Sequence, residues 1–439
     1  MSSGLVVKNN LSALNTLNIL NKNTSALNSS LSKVSSGLKI QSAADDASGY
    51  QISERMKVQI RSLDQANQNT ENGSSLLSTA AGAVDSTVEI LKTLKEKVLS
   101  AANGTNTDSD LEAIQDELDQ SIDQINDNAN VTFNDKYLIN GSLTAKGAAT
   151  NSTYVNSSLA TATTGSTALT ALSDRNTNSL GIVSGDKITV SYVSNGKTVT
   201  SKITVTGSTT LSTVLGKISA GSASYTTSTI GTDAGGNTIS TADGSDVITL
   251  TATGSGVTNS IGGFSIGVTD SSGNEKKSVD TYLDAFSEKI TAQDSVTATD
   301  SLSLQVGTKS NQTIKVSLDD MGAQALGLQG LDTSTGKVQN LNVTTTENAN
   351  VAANVLDSAL QRALSEQTKI GAAQSRLDYT AENLTTSSEN VTDAQSTIAD
   401  ADMAKEMTEY SKNSVLQQAA QAMLAQANQS GSGVLSLLQ

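Results

Sequence analysis

From about residue 5 to residue 38, large apolar residues recur at threes and fours: Leu11, Leu14, Leu17, Leu20, Leu27, Leu31, Val34 and Leu38, with Asn, Ser and Lys between them. That spacing predicts an amphipathic helix with Gly37 near its end. A small, polar stretch over 41–49 interrupts the pattern, and Asp45 and Asp46 stand where they would cap a second helix starting near Ala47. This helix runs on to about Ala102, where Asn103-Gly104 marks a turn, and its length of about 75 Å is several times the usual. Ser109 with Glu112 then reads as the capping box of a third helix, with Leu111, Ile114, Leu118, Ile122 and Ile125 as its stripe.

Towards the other end the period tightens to seven, with Leu356, Ala363, Ile370, Leu377, Leu384, Val391 and Ile398 forming a coiled-coil stripe. Such a stripe needs a partner, and Leu77, Ala81, Val84, Val88, Leu91, Leu94 and Val98 offer one. The chain is therefore expected to fold back on itself, with Leu77, Val84, Val88 and Leu91 packing in the same rod as Ile370, Leu377, Leu384 and Val391. The last stretch, through Met403, Met407, Leu416, Met423, Val434 and Leu438, keeps helical spacing too. Between the helical ends, Gly, Ser and Thr dominate and short alternating runs at 187–193, 198–205, 247–253 and 264–268 predict strands, with a further hairpin over 301–306 and 312–318. The fold class expected is α+β: an antiparallel helical hairpin, or coiled-coil rod, made from both chain ends, with a mostly β inserted domain projecting from it.

Either terminal helix alone has too few large side chains to offset the entropy of ordering its backbone. It becomes helical when its stripe is covered by the opposite tail and by neighbouring copies, so ordering and assembly are one event. The residues expected to carry this subunit packing are Leu11, Leu14, Leu17, Leu27, Leu31, Leu416, Met423, Val434 and Leu438.

Composition narrows the chemistry. Among 439 residues there is no histidine, cysteine or proline, and aromatics are only 3%. Thiol and imidazole catalysis, disulfides and the usual zinc, haem and iron-sulfur ligands are thereby excluded. A net charge of -15 opposes nucleic acid and anionic lipid. No apolar run reaches membrane-spanning length, and residues 1–8 lack the basic head and apolar core of a cleaved signal. The acidic row Glu112, Asp116, Asp119, Asp123 and Asp127 reads as a solvated helix face, and the segments 243–246 and 270–274 as turns. Neither a cofactor nor a metal is expected, and paired carboxylates in the middle lack the aromatic platforms of a glycosidase, so no enzyme is expected.

The run Ser35-Ser36-Gly37-Leu38-Lys39-Ile40-Gln41-Ser42-Ala43-Ala44-Asp45-Asp46-Ala47-Ser48-Gly49, followed by Arg55-Met56, resembles the N-terminal signature of the bacterial flagellins. Gly371-Ala372-Ala373-Gln374-Ser375-Arg376-Leu377 and Ile398-Ala399-Asp400-Ala401-Asp402-Met403-Ala404 resemble the C-terminal one. The resemblance implies a subunit that self-assembles into the helical flagellar filament, an extracellular propeller for motility. It implies an inner-tube helical domain over 1–42 and 400–439, a rod-like helical domain with a β-hairpin over 43–145 and 300–399, and a variable surface-exposed β-rich domain over 146–299. Implied partners are further copies of the chain, the filament cap, hook-associated junction proteins and a flagellar export chaperone serving type III export. By the same resemblance, Thr93, Lys97 and Glu117 stand at positions read by the vertebrate innate flagellin receptor. Strongly stimulating relatives carry arginine, leucine and glutamate there; only the glutamate is kept, which implies weak activation. A hook-filament junction protein and a β-rich surface adhesin on a coiled-coil stalk are the alternatives.

Overall fold

The computed structural model describes residues 10–144, 147–226, 229–241, 247–296, 301–331 and 337–437. Seven α-helices lie among them: α1 (Leu11–Ser36), α2 (Ala47–Ala101), α3 (Asp108–Ala129), α4 (Leu211–Leu215), α5 (Lys277–Leu283), α6 (Thr346–Ala399) and α7 (Met403–Leu437). Two compact units contain them, one made of Met1–Asn69, Gln305–Gln312 and Tyr379–Gln439, the other of Thr70–Leu304 and Thr313–Asp378.

In the first unit, the Asn10 side chain caps α1 by accepting from the Ala13 amide at 3.0 Å. Gly37 ends the helix with φ of 73°, a left-handed conformation that costs glycine nothing, and its amide donates back to the Lys33 carbonyl. Asp46 accepts from the Ser48 amide at 3.1 Å, capping α2. Asp45 instead gathers the Gln41 and Ser42 amides and the Ser42 hydroxyl, and these hydrogen bonds hold its carboxyl below the usual range. Further along the same unit Leu63, Ala66 and Leu384 form a small core against which Val391 packs. Ser388 donates to Asp64 at 3.0 Å and Gln395 to Ser53, so α2 and α6 run antiparallel there.

In the second unit Leu77, Val84, Val88, Leu91, Ile370 and Leu377 are all buried. Gln374 donates to Ser78, Gln367 pairs with Asp85, and Lys95 pairs with Asp357, again in descending order along α6 as α2 ascends. The capping box of α3 lies two residues earlier than Ser109 and Glu112. Thr107 accepts from the Asp110 amide while Asp110 accepts from the Thr107 amide at 2.9 Å. The shorter acid serves the same reciprocal exchange, and a pattern search for Glu at the third position overlooks it.

The strand-rich part of this unit has two antiparallel sheets. One has the order Ile261–Thr269, Lys187–Ser194, Lys197–Thr204. The other runs Phe286–Ile290, Thr153–Asn156, Val247–Ala252, Gly221–Thr226. Ile188, Val190, Tyr192 and Ile266 of the first share one core with Tyr154, Ile248 and Leu250 of the second, and Leu211 and Leu215 of α4 belong to the same cluster. The hairpin expected near 301–318 is present as Leu302–Gln305 with Thr313–Val316, and a further ribbon pairs Gln329–Leu331 with Val338–Asn340, where the sequence predicted no strand.

Three connections repeat one device. Asp270 Oδ1 accepts from the amides of Ser272 and Asn274 while its Oδ2 accepts from the Asn274 side chain, around Gly273 at φ of 92°. Asp233 and Asn237 do the same around Gly236, and Asp174 and Asn178 around Thr177 at φ of 66°. Each Asp carboxyl is held below its ordinary value, first by the Asn side chain. The segment 270–274 is thus a turn whose carboxylate is spent on its own loop; 243–246 lies outside the described residues.

The Ile261–Thr269 strand is an edge of its sheet, and α5 closes that edge. Asp280 accepts from the Val268 amide at 2.6 Å, and Asp284 from the Ile266 amide at 3.1 Å and from Asn354 Nδ2. Burial pushes both carboxyls up to about 6, with Glu275 adding to the shift at Asp280 and Asp280 to that at Asp284. The ordinary value is 3.8, so the folded chain holds these protons more tightly than the unfolded one. The resulting stability is fully present below pH 3.8 and is lost as pH rises through about 6. Asp280→Asn keeps the acceptor for Val268 and removes one charge. It should stabilise the unit at pH 7 by about 1 kcal/mol, the shift being discounted for partial exposure, and should flatten the slope between pH 5 and 7 in urea melts.

Candidate assembly surface

The pairing of α1 with α7 is antiparallel and stitched by polar groups. Asn10 Nδ2 donates to the Ala427 carbonyl at 3.0 Å, Gln417 Nε2 to the Thr24 hydroxyl at 3.2 Å, and Asn413 Nδ2 to the Ser30 hydroxyl at 3.3 Å. Lys33 and Glu406 approach to 3.9 Å. At the closed end the Lys39 amide donates to the Ala399 carbonyl and the Ala401 amide to the Gly37 carbonyl. The buried side chains along this seam are small: Ser30, Ala420 and Ala427.

Leu20, Leu27, Val34 and Leu424 are half-buried beside these small residues, while most of the other large apolar residues lie off the seam. Leu11 is 66% exposed, Leu14 54%, Met423 62%, and Leu17, Ile19, Leu31, Met403, Met407, Val415 and Leu416 are exposed as well. Val434 lies in the last turns of α7, and Leu438 is outside the described residues. The fully buried positions are thus small, and many of the large apolar groups stand exposed on the flanks. Exposed apolar side chains gathered along two paired helices mark a surface for association.

Other predicted positions fall elsewhere. Thr93 is exposed, its hydroxyl donating to the Glu89 carbonyl, and Lys97 Nζ lies 2.9 Å from Glu117 Oε2. Glu112, Asp116, Asp123 and Asp127 are exposed, while Asp119 accepts from Gln115 and Asn340. Among the described residues no group of three acidic side chains is arranged to hold a metal ion.

A cavity of 540 Å³ in the second unit is bordered by Glu288, Asp319, Asp320, Arg362 and Lys369. Its charges are spent on one another. Arg362 grips both Glu288 oxygens and the Ala325 carbonyl, Lys369 pairs with Asp319 and with buried Glu366, and Asp320 accepts from the Gly322 amide. Burial raises the Glu288 carboxyl, which Arg362 opposes. Sequence periodicity could not have found this group, because its members come from three separate segments.

Paired helices that leave many of their large apolar side chains uncovered define a polymer-forming structural subunit. Residues 7–144 match the bacterial flagellin N-terminal helical region and residues 353–438 the bacterial flagellin C-terminal helical region, together just over half of the chain. A flagellin of Clostridium tyrobutyricum is 34% identical over 97% of this chain and 99% of its own length. A flagellin of Bacillus subtilis is 30% identical over 98% of this chain and 99% of its own, and polar flagellin C of Vibrio parahaemolyticus 31% identical over 99% and 100%. Among solved structures, the flagellar junction protein FlgL of Legionella pneumophila aligns with a TM-score of 0.32 at 16% identity, covering 80% of this chain and 100% of its own. The chain belongs to the bacterial flagellin family. Its function is structural: it is a subunit of the flagellar filament that drives motility.

Proposed function

We propose that the exposed flanks of α1 and α7 are the surfaces through which subunits stack, with Leu11, Leu14, Leu17, Leu27, Leu31, Leu416, Met423, Val434 and Leu438 as the packing residues. On this reading 1–42 with 400–439 form the inner tube, 43–145 with 300–399 the layer around it, and 146–299 the outward-projecting part. The observation that carries the reading is the set of large apolar side chains that the paired tails leave exposed, Leu11, Leu14, Leu17, Leu31, Leu416 and Met423 among them. Burial of each such side chain contributes about 1.5–3 kcal/mol, so a subunit gains from neighbours what it cannot gain alone.

The chain leaves the cell unfolded through the flagellar export channel, escorted by a chaperone, and adds beneath the cap beyond the hook-associated junction proteins, so its working location is extracellular. It performs no catalysis: around the 540 Å³ cavity Glu288 and Asp319 are held in ion pairs and Asp320 accepts an amide hydrogen bond. The vertebrate innate flagellin receptor is engaged weakly, because Thr93 and Lys97 stand where strongly stimulating relatives carry arginine and leucine. Electron microscopy of the purified chain, seeded with filament fragments, should reveal long tubes of uniform width; persistent monomers or irregular aggregates would sink the reading.

A further inference from the structure

Asparagine followed by glycine is chemically labile, because the glycine nitrogen meets no side chain as it approaches the asparagine amide carbon. Four such pairs occur: Asn72-Gly73, Asn103-Gly104, Asn140-Gly141 and Asn195-Gly196. The attack needs a glycine amide without a hydrogen bond and a backbone free to rotate, so the fold ranks the four.

Asn72-Gly73 is inside α2, where the Gly73 amide is a helical donor and its Cα is covered by Leu304. Asn140 Oδ1 is engaged by the Ser142 amide, and Gly141, at φ of 83°, lies against Asp320. Asn195-Gly196 forms a hairpin turn at φ of 52° and 70°, clamped against Gly330 and the Gln339 carbonyl. Asn103-Gly104 differs from all three. Both residues are exposed, nothing stands within 4 Å of where a Gly104 side chain would be, and among the described residues neither the Gly104 amide nor the Asn103 side chain has a hydrogen-bond partner.

We infer that Asn103 is a spontaneous modification site at which the folded subunit ages by deamidation. The Gly104 nitrogen bonds to the Asn103 side-chain carbon and loses its proton, and the side-chain amide leaves as ammonia, closing a five-membered imide. Water then opens the ring at either carbonyl, giving aspartate or isoaspartate. Either product places a new carboxylate at the C-terminal end of α2, where the helix dipole is negative and Asp108 and Asp110 follow closely in sequence. Isoaspartate also lengthens the main chain by one carbon just before the Thr107–Asp110 capping box. Residues at the end of α2 and the start of α3 therefore loosen as the protein ages.

The folded full-length chain, incubated at mildly alkaline pH and sampled over weeks, tests this by peptide mass mapping of all four sites beside a urea-unfolded control. Asn103 should convert at least about tenfold faster than the other three in the folded chain, the factor an opening cost of about 1.4 kcal/mol imposes on the protected sites. In urea the four rates should converge. Gly104→Ala should slow conversion at Asn103 alone. Equal rates at all four sites in the folded chain, or an intact Asn103 while another converts, would overturn the inference.

Discussion

Leu27→Asp combined with Leu416→Asp should abolish polymerisation while leaving the second compact unit folded. Leu27 is half-buried on α1 and Leu416 exposed on α7, so neither change opens a cavity in a well-filled core. In the assembled state each position is to be covered by a neighbour, and the pair of changes forfeits about 3 kcal/mol of burial before the cost of covering two carboxylates is counted. That alone raises the critical concentration by about a hundredfold. Sedimentation of seeded assembly mixtures reads the outcome, with circular dichroism verifying that helix and strand content is retained. Normal filaments from the double variant would show that these flanks are not the joining surface.

The second large effect belongs to Arg362. Its guanidinium is the counter-charge to Glu288, whose side chain is only 4% exposed, and it also donates to the Ala325 carbonyl. Arg362→Met leaves a carboxylate with no partner in a poorly hydrated site and should lower unfolding stability by about 3–5 kcal/mol at pH 7. Because Glu288 is already pushed upward by burial, it escapes the cost by taking a proton, so the loss should shrink as pH falls. Pairing Arg362→Met with Glu288→Leu should recover much of the loss, since both charges are then gone. Urea melts of the parent chain and the two variants at pH 5 and 7 distinguish an unpaired charge from lost packing, which pH would not change.

The helical framework was legible because its signals are long and redundant. Fifty residues of threes and fours cannot be mistaken for strand, and α2 begins at Ala47, where its cap put it. The strands at 187–194 and 247–252 were readable for a similar reason, alternation bounded by turn residues. What escaped was short or non-local. The ribbon Gln329–Leu331 with Val338–Asn340 has too few residues to declare a period. The helix α5 is seven residues long, and its Asp280 and the Asp284 that follows it matter only because a distant strand presents its amides to them.

The assembly surface was half legible. Spacing identified Leu11, Leu14, Leu17 and Leu31 as one stripe but could not say which face α7 would take. Hydrophobic periodicity locates greasy faces without naming their partner, and here the fully buried positions along the seam are the small residues Ser30, Ala420 and Ala427. A run of small residues at helical spacing is the signal that a closer reading of α7 would have weighed.

Closing the outer amides of Ile261–Thr269 with two aspartates has a consequence that appears only in bulk. A polymer sets many identical sheets side by side at concentrations no dilute solution reaches, and a bare strand there would invite its twin to zip onto it. By answering those amides from within, the two aspartates deny the crowd a template along this edge.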